Sequence, residues 1–181
     1  GEEEIVLNAF EEVRKTLPST LLILVPRHPD RRAEVSQLCR NYQTVIRTEN
    51  SEVNSHTDIV LVDTIGELLL FYALSDVAFM GGSLVPIGGH NLLEPAVLGI
   101  PTLTGPHMFN FTEVNRLLQA VEAVIPITSS EDMVYHVLQF LQDPDARQAA
   151  GIRAHQVVQE NRGALQAHIQ HIGALIDEST N

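Results

Sequence analysis

The rhythm of apolar residues limits this chain more than any single residue does. Six short runs recur along it, at residues 21–25, 44–47, 58–62, 76–80, 101–104 and 123–127, four of them nearly all apolar. Each has strand length, and apolar side chains at successive positions must be covered on both faces of a sheet. Between the runs the spacing turns helical. Val6, Phe10, Val13 and Leu17 form one stripe, which stops at Leu17-Pro18. Asp30 is placed to cap a helix that runs through Arg40, and further helices are predicted over about 66–74, 91–98 and 110–120. The tail reads as three helices, 130–141, 144–160 and about 163–176, with breaks at Asp143-Pro144 and Asn161-Arg162-Gly163. Strands alternating with helices predict an α/β fold, a doubly wound parallel sheet with a helical C-terminal tail, in one domain over 1–181. The polar stretch 48–57 reads as a mobile loop.

Charge and composition remove several function classes. The 181 residues carry 11 Lys+Arg against 23 Asp+Glu, a net charge of -12, and no basic run of the kind that binds nucleic acid. The same acidity disfavours adsorption to an anionic membrane surface. Aromatic residues are scarce and tryptophan is absent, so base-stacking platforms are not expected. Cys39 is the lone cysteine, so no internal disulfide forms, and no apolar run is long enough to span a bilayer. Gly1-Glu2-Glu3-Glu4 enters the first helix without a preceding strand, which reads as a piece of a longer protein with Gly1 a tag remnant.

Three loops that follow strands hold the unusual residues. In open parallel sheets ligands bind beyond the C-terminal strand ends, so these loops should converge on one edge. The longest runs from Gly81-Gly82-Ser83 through Gly88-Gly89-His90-Asn91 to Glu94-Pro95. Glycines there let a ligand approach the backbone, and free N–H groups at a helix start attract phosphate. Asn91 and Glu94, three apart, form a helix-start signal. The second loop, Asp63-Thr64-Ile65-Gly66-Glu67, places Thr64 and Glu67 at capping-box spacing, and Gly66 would let a ring lie on the main chain. The third is Pro26-Arg27-His28-Pro29-Asp30-Arg31-Arg32, where a loop between prolines holds Arg27 as a rigid fork for phosphate or carboxylate. Arg31 and Arg32 read as solvated helix surface.

Other chemistries fit poorly. His28, His90 and His107 match no metal-ligand spacing, and His168 with His171 lack a third ligand, so both sets read as non-metal residues. Ser83 lacks a full nucleophile elbow because Val85 takes the last glycine's place.

With these loops identified, the sequence resembles the 3-deoxy-D-manno-octulosonic acid (Kdo) transferases of Gram-negative lipopolysaccharide synthesis. The matching segments are Val25-Pro26-Arg27-His28-Pro29, Asp63-Thr64-Ile65-Gly66-Glu67-Leu68, Gly81-Gly82-Ser83-Leu84, Gly88-Gly89-His90-Asn91-Leu92-Leu93-Glu94-Pro95 and Gly105-Pro106-His107-Met108-Phe109-Asn110-Phe111. The resemblance implies the C-terminal half of a GT-B fold, a Rossmann-like domain that binds the donor CMP-Kdo without a metal. The acceptor, a lipid A precursor, and the catalytic carboxylate would belong to an N-terminal domain absent from this chain. The full-length enzyme would then act at the cytoplasmic face of the bacterial inner membrane, and this piece would be soluble and inactive by itself. Carried onto this sequence, Pro26, Arg27, Ile65, Gly66, Glu67 and the turn from Asn91 to Glu94 would contact CMP. Ser83, Gly89 and His90 would join them near the phosphate, and Glu94 would bond ribose hydroxyls. Two readings stay open beside it: another GT-B enzyme, such as a UDP-sugar transferase or UDP-sugar 2-epimerase, and a non-catalytic nucleotide-binding module.

Overall fold

In the computed structural model, residues 1–49 and 51–178 are described, with side chains through Asn161. The readings made of Asn50 and of the His168 and His171 side chains lie outside that range. Six parallel strands alternate with helices in the predicted order: α1 (Glu3–Thr16), β1 (Leu22–Leu24), α2 (Arg32–Leu38), β2 (Thr44–Ile46), β3 (Ile59–Leu61), α3 (Leu68–Ala73) and β4 (Ala78–Met80). Then follow α4 (Leu93–Val97), β5 (Thr102–Thr104), α5 (Thr112–Ala120), β6 (Val124–Pro126), α6 (Ser130–Gln142) and α7 (Pro144–Glu178). Every strand falls inside its predicted run.

The strands form two three-stranded ladders, ordered β1-β3-β2 and β4-β5-β6. Leu22 and Thr44 both register with Ile59, and Ala78 and Val124 both register with Thr102. The middle strands β3 and β5 are buried at all positions, as runs covered on both faces must be. α1 joins the two sheets. Its Leu7 and Phe10 pack with Val35, Ile59 and Leu61 of the first, while Ala9 packs with Leu103, Ile127, Met133 and Phe140 of the second. A separate core of Met80, Leu92, Ala96, Leu118 and Ala154 lies under α4, α5 and α7.

Several predicted helix boundaries move. Asp30 caps nothing; it sits inside a 3-10 turn, Pro29–Arg31, and α2 starts after it with no side-chain cap. Thr64 and Glu67 form no capping box either, because their side chains bond to each other. A working cap does occur at α6, where Ser129 Oγ accepts from the Asp132 N–H at 3.1 Å. The tail is one helix from Pro144 to Glu178, without the predicted break. Asn161 bonds the Val157 carbonyl (2.7 Å) instead of capping, and a helix passes a glycine such as Gly163 for about 1 kcal/mol. The stretch 48–57 is anchored at both ends. Thr48 donates its N–H (3.0 Å) and hydroxyl (2.6 Å) to Asp63, and Asn54 to Thr57 close a turn.

Candidate functional site

A cavity of about 990 Å³ runs between β1 and β4 and opens past the C-terminal ends of β1, β3 and β4. All three loops reach it. Pro26 and Arg27 come from the first, Thr64, Ile65 and Gly66 from the second, and Gly82, His90, Asn91 and Glu94 from the third. The convergence expected from strand ends in an open parallel sheet is therefore present.

Arg27 is exposed and makes no ion pair with any described residue. The neighbouring arginines are committed elsewhere. Arg31 bridges Glu3 (2.6 Å) and Glu34 (2.7 Å), and Arg32 bridges Glu49 and Asp63 (3.3 Å), so neither is simply solvated as predicted. Arg27 therefore keeps its whole guanidinium fork for an incoming anion.

Asn91 organises the third loop's end. Its Oδ1 accepts the Leu93 N–H (3.1 Å), and its Nδ2 donates to Glu94 Oε1 (3.1 Å), which fixes that carboxylate at the cavity wall. α4 carries Glu94 and is held from behind by α7. There Gly99, at φ +70°, meets Gly151 backbone to backbone, and the His155 ring bonds the Val97 carbonyl at 2.9 Å. Any side chain at Gly151 would push against the Gly99 backbone and shift the helix that bears Glu94.

His90 sits between the loops. Burial, and next the charge of Arg27, hold its imidazole below the usual histidine range, so it is neutral near pH 7. Ile65 is 85% exposed and Ile87 60%, leaving bare apolar surface at the cavity mouth.

Three predicted site residues lie off the cavity. Glu67 is tied to the Thr64 hydroxyl and to Arg47 (2.9 Å), which together hold its carboxyl below the ordinary range. It anchors the second loop to the end of β2. Ser83 is fully buried; its hydroxyl donates to the Met80 carbonyl and accepts from the Gly105 N–H at 2.8 Å. Gly89 has φ +70°, and a Cβ there would strike the Met108 side chain, so its missing side chain serves the 107–111 segment.

Two contributors were not legible. The carboxylate of Glu2 accepts from the N–H groups of Gly82, Leu84 and Val85, so the glycine-loop amides expected to be free are filled from within the chain. Nothing in an acidic opening run signals a partner so distant. Tyr72 lines the cavity beside Glu94, and burial with that carboxylate pushes its phenol up to about 12. A signal for it exists: Leu68 and Tyr72 are four apart on α3 and share the cavity face. Among the described residues, no three His, Cys, Asp or Glu side chains gather as metal ligands.

Comparison with known proteins adds the following. No family model matches the chain. It is 41% identical over 169 residues to the 3-deoxy-D-manno-octulosonic acid transferase of Haemophilus influenzae, covering 92% of this chain and 40% of the relative. To the enzyme of the same name from Aquifex aeolicus it is 36% identical over 141 residues, 78% of this chain and 39% of the relative. The chain thus spans about two fifths of the relatives' length. Among solved structures it matches the C-terminal CMP-Kdo binding domain of WaaA from Acinetobacter baumannii. The TM-score is 0.83 and the identity 38%, over 87% of this chain and 83% of that one.

Proposed function

Because the chain belongs to the Kdo transferase family, as its C-terminal domain, we propose that the cavity mouth binds the CMP part of CMP-Kdo. The observation that supports this reading is the meeting of three loops around an unpaired Arg27 and a fixed Glu94. Arg27 meets the donor phosphate. Glu94, one oxygen held by Asn91, accepts from the ribose hydroxyls, and the protonated Tyr72 phenol is a donor beside it. Ile65 and Gly66 offer an apolar shelf for the base.

In the whole protein, Kdo would pass from CMP-Kdo to a lipid A precursor at the inner membrane. Negative charge grows on the phosphate as CMP leaves, and fixed donors stabilise it without reorganising. α4 is five residues long, so its dipole is small and Arg27 carries the larger share. The general base and the acceptor site would come from an N-terminal domain. None of this chain's helices, as far as they are described, is long and apolar enough to cross a membrane.

A CMP titration followed by NMR tests the reading. CMP should shift the amides of Gly66, His90 and Asn91, and Arg27→Ala should weaken binding about 10- to 100-fold. Tighter binding of UDP would overturn the CMP assignment in favour of a UDP-sugar enzyme. An unchanged Kd in Arg27→Ala would remove Arg27 from the site. Kdo transfer by this chain alone would end the proposed division of labour.

A further inference from the structure

Glu2 stands at the start of α1, where its carbonyl accepts the Val6 N–H (3.0 Å) and the first helical turn fixes its backbone. It is 9% exposed. One carboxylate oxygen accepts the Gly82 N–H at 2.5 Å, and the other accepts those of Leu84 (2.5 Å) and Val85 (3.2 Å). A carboxylate withdrawn from water is costly unless hydrogen bonds meet its charge, and here a nest of three backbone donors meets it. A carboxamide would not serve as well. All three partners are donors, and its own NH2 group would face one of them.

Gly82 is the hub of the third loop. Its carbonyl accepts the N–H groups of Gly88 (3.1 Å) and Gly89 (2.8 Å), so residues 82–89 close on themselves at that point. His90 follows directly. Its Nε2 lies 3.6 Å from where a Cβ of Gly82 would stand, so the ring rests over the bare Gly82 Cα. The ring lines the cavity and has no hydrogen-bond partner among the described residues. Its place is therefore set by the hub beneath it and by the closed loop before it. The charges of Arg27 and Glu2 both reach the imidazole.

We propose that Glu2 is a positioning residue of the donor site: it clasps Gly82 and, through it, sets the place of the His90 ring beside Arg27. The proposal rests on the donor reading above, in which Arg27 meets the phosphate and one His90 ring N–H donates to a phosphate oxygen. α1 packs on both sheets, so the clasp ties the third loop to the frame that also carries β1 and Arg27. A donor held in place before the ligand arrives loses less freedom on binding, and a misplacement of about 1 Å can cost ~100-fold in reactivity. The clasp also changes how the glycine loop meets the donor. Its amides are already filled by Glu2, so the loop contacts the phosphate through His90 and not through its own N–H groups.

A double-mutant cycle tests this, with CMP titrated by NMR into the wild type, Glu2→Gln, His90→Ala and the double variant. Glu2→Gln keeps the side chain's shape and removes one acceptor. It should weaken CMP binding about 10-fold and shift the His90 and Asn91 amides in the nucleotide-free protein. In the His90→Ala background the same change should cost less than ~2-fold, because nothing is left for Glu2 to place. An unchanged Kd in Glu2→Gln, or an equal loss in both backgrounds, would overturn the proposal. So would amide shifts confined to Gly82, Leu84 and Val85, which make Glu2 a local brace. Should Glu2→Gln not fold, Glu2→Asp, which keeps the charge and shortens the reach, enters the same cycle. Loss of the fold in both assigns Glu2 to the fold itself and overturns the proposal. A wild type that binds no CMP ends the donor reading alone, since the nucleotide-free shifts at His90 still decide whether Glu2 sets that ring.

Discussion

Around β3, charged side chains tie the elements together across the surface: Arg14 to Asp58, Arg31 to Glu3, Arg32 to Asp63 and Arg47 to Glu67. Around β5 the same architecture is held mainly by packing. Leu103, Thr102 and Thr104 are buried, Ile127, Met133 and Phe140 close over them, and Ser83 links the ends of β4 and β5 from inside. Strand exposure follows the same division. Among the edge strands, β1 and β2 are half-buried throughout, whereas β4 buries Ala78 and Met80 and β6 buries Val124. The cavity has one wall from each side. Arg27 and the Thr64 to Glu67 loop stand on the charged side, and Glu94 stands on the packed side. Salt and pH should move one wall, and lost core volume the other.

The largest expected effect is on the packed side. Leu103→Ala leaves a hole at 0% exposure and should cost about 2–5 kcal/mol in urea unfolding, independent of salt. A cost below ~1 kcal/mol would remove the contrast. Ser83→Ala strips a buried hydroxyl from two partners and should cost about 1–3 kcal/mol, with amide shifts at Gly105 in the NMR spectrum.

On the charged side, acid is the lever. Burial raises the Glu3 carboxyl, but the Arg31 hydrogen bond and nearby amino groups outweigh it and bring it from 4.5 to about 2. The folded value lies below the unfolded one, so this stabilisation is present above pH 4.5 and is lost as pH falls towards 2. After solvent screening it is worth on the order of 1 kcal/mol. Glu3→Gln should flatten that part of the pH–stability curve. A wild-type curve already flat between those pH values would show that the pair contributes nothing. The smallest effect is that of salt. Raising NaCl to about 1 M should destabilise the charged side by less than ~1 kcal/mol, seen as faster exchange at β3 amides with β5 unchanged.

The strands were legible because apolar runs between turn signals have few other uses, and all six appear where the runs lie. The convergence of the three loops followed from topology alone. Local polar spacing was less dependable. Thr64 and Glu67 stand three apart, as a capping box requires, but their side chains bond to each other and Arg47 takes the second carboxylate oxygen. Asp30 and the Asn161 to Gly163 break failed for related reasons, since a nearby turn or helix backbone used the residues differently. Ser83 and Gly89, expected near the phosphate, stand off the cavity, where Ser83 bonds Gly105 and Gly89 makes room for Met108. Glu2 was out of reach, because its partners lie 80 to 83 residues further along the chain.

That separation has a kinetic consequence. The Glu2 clasp on Gly82 closes a span of 80 residues, and loop closure of that length is entropically costly before other contacts repay it. The glycine loop therefore takes its final shape only after α1 has docked on both sheets. A chain still lacking that docking has the strands but not the finished loop, so ligand affinity at this edge reports completed folding.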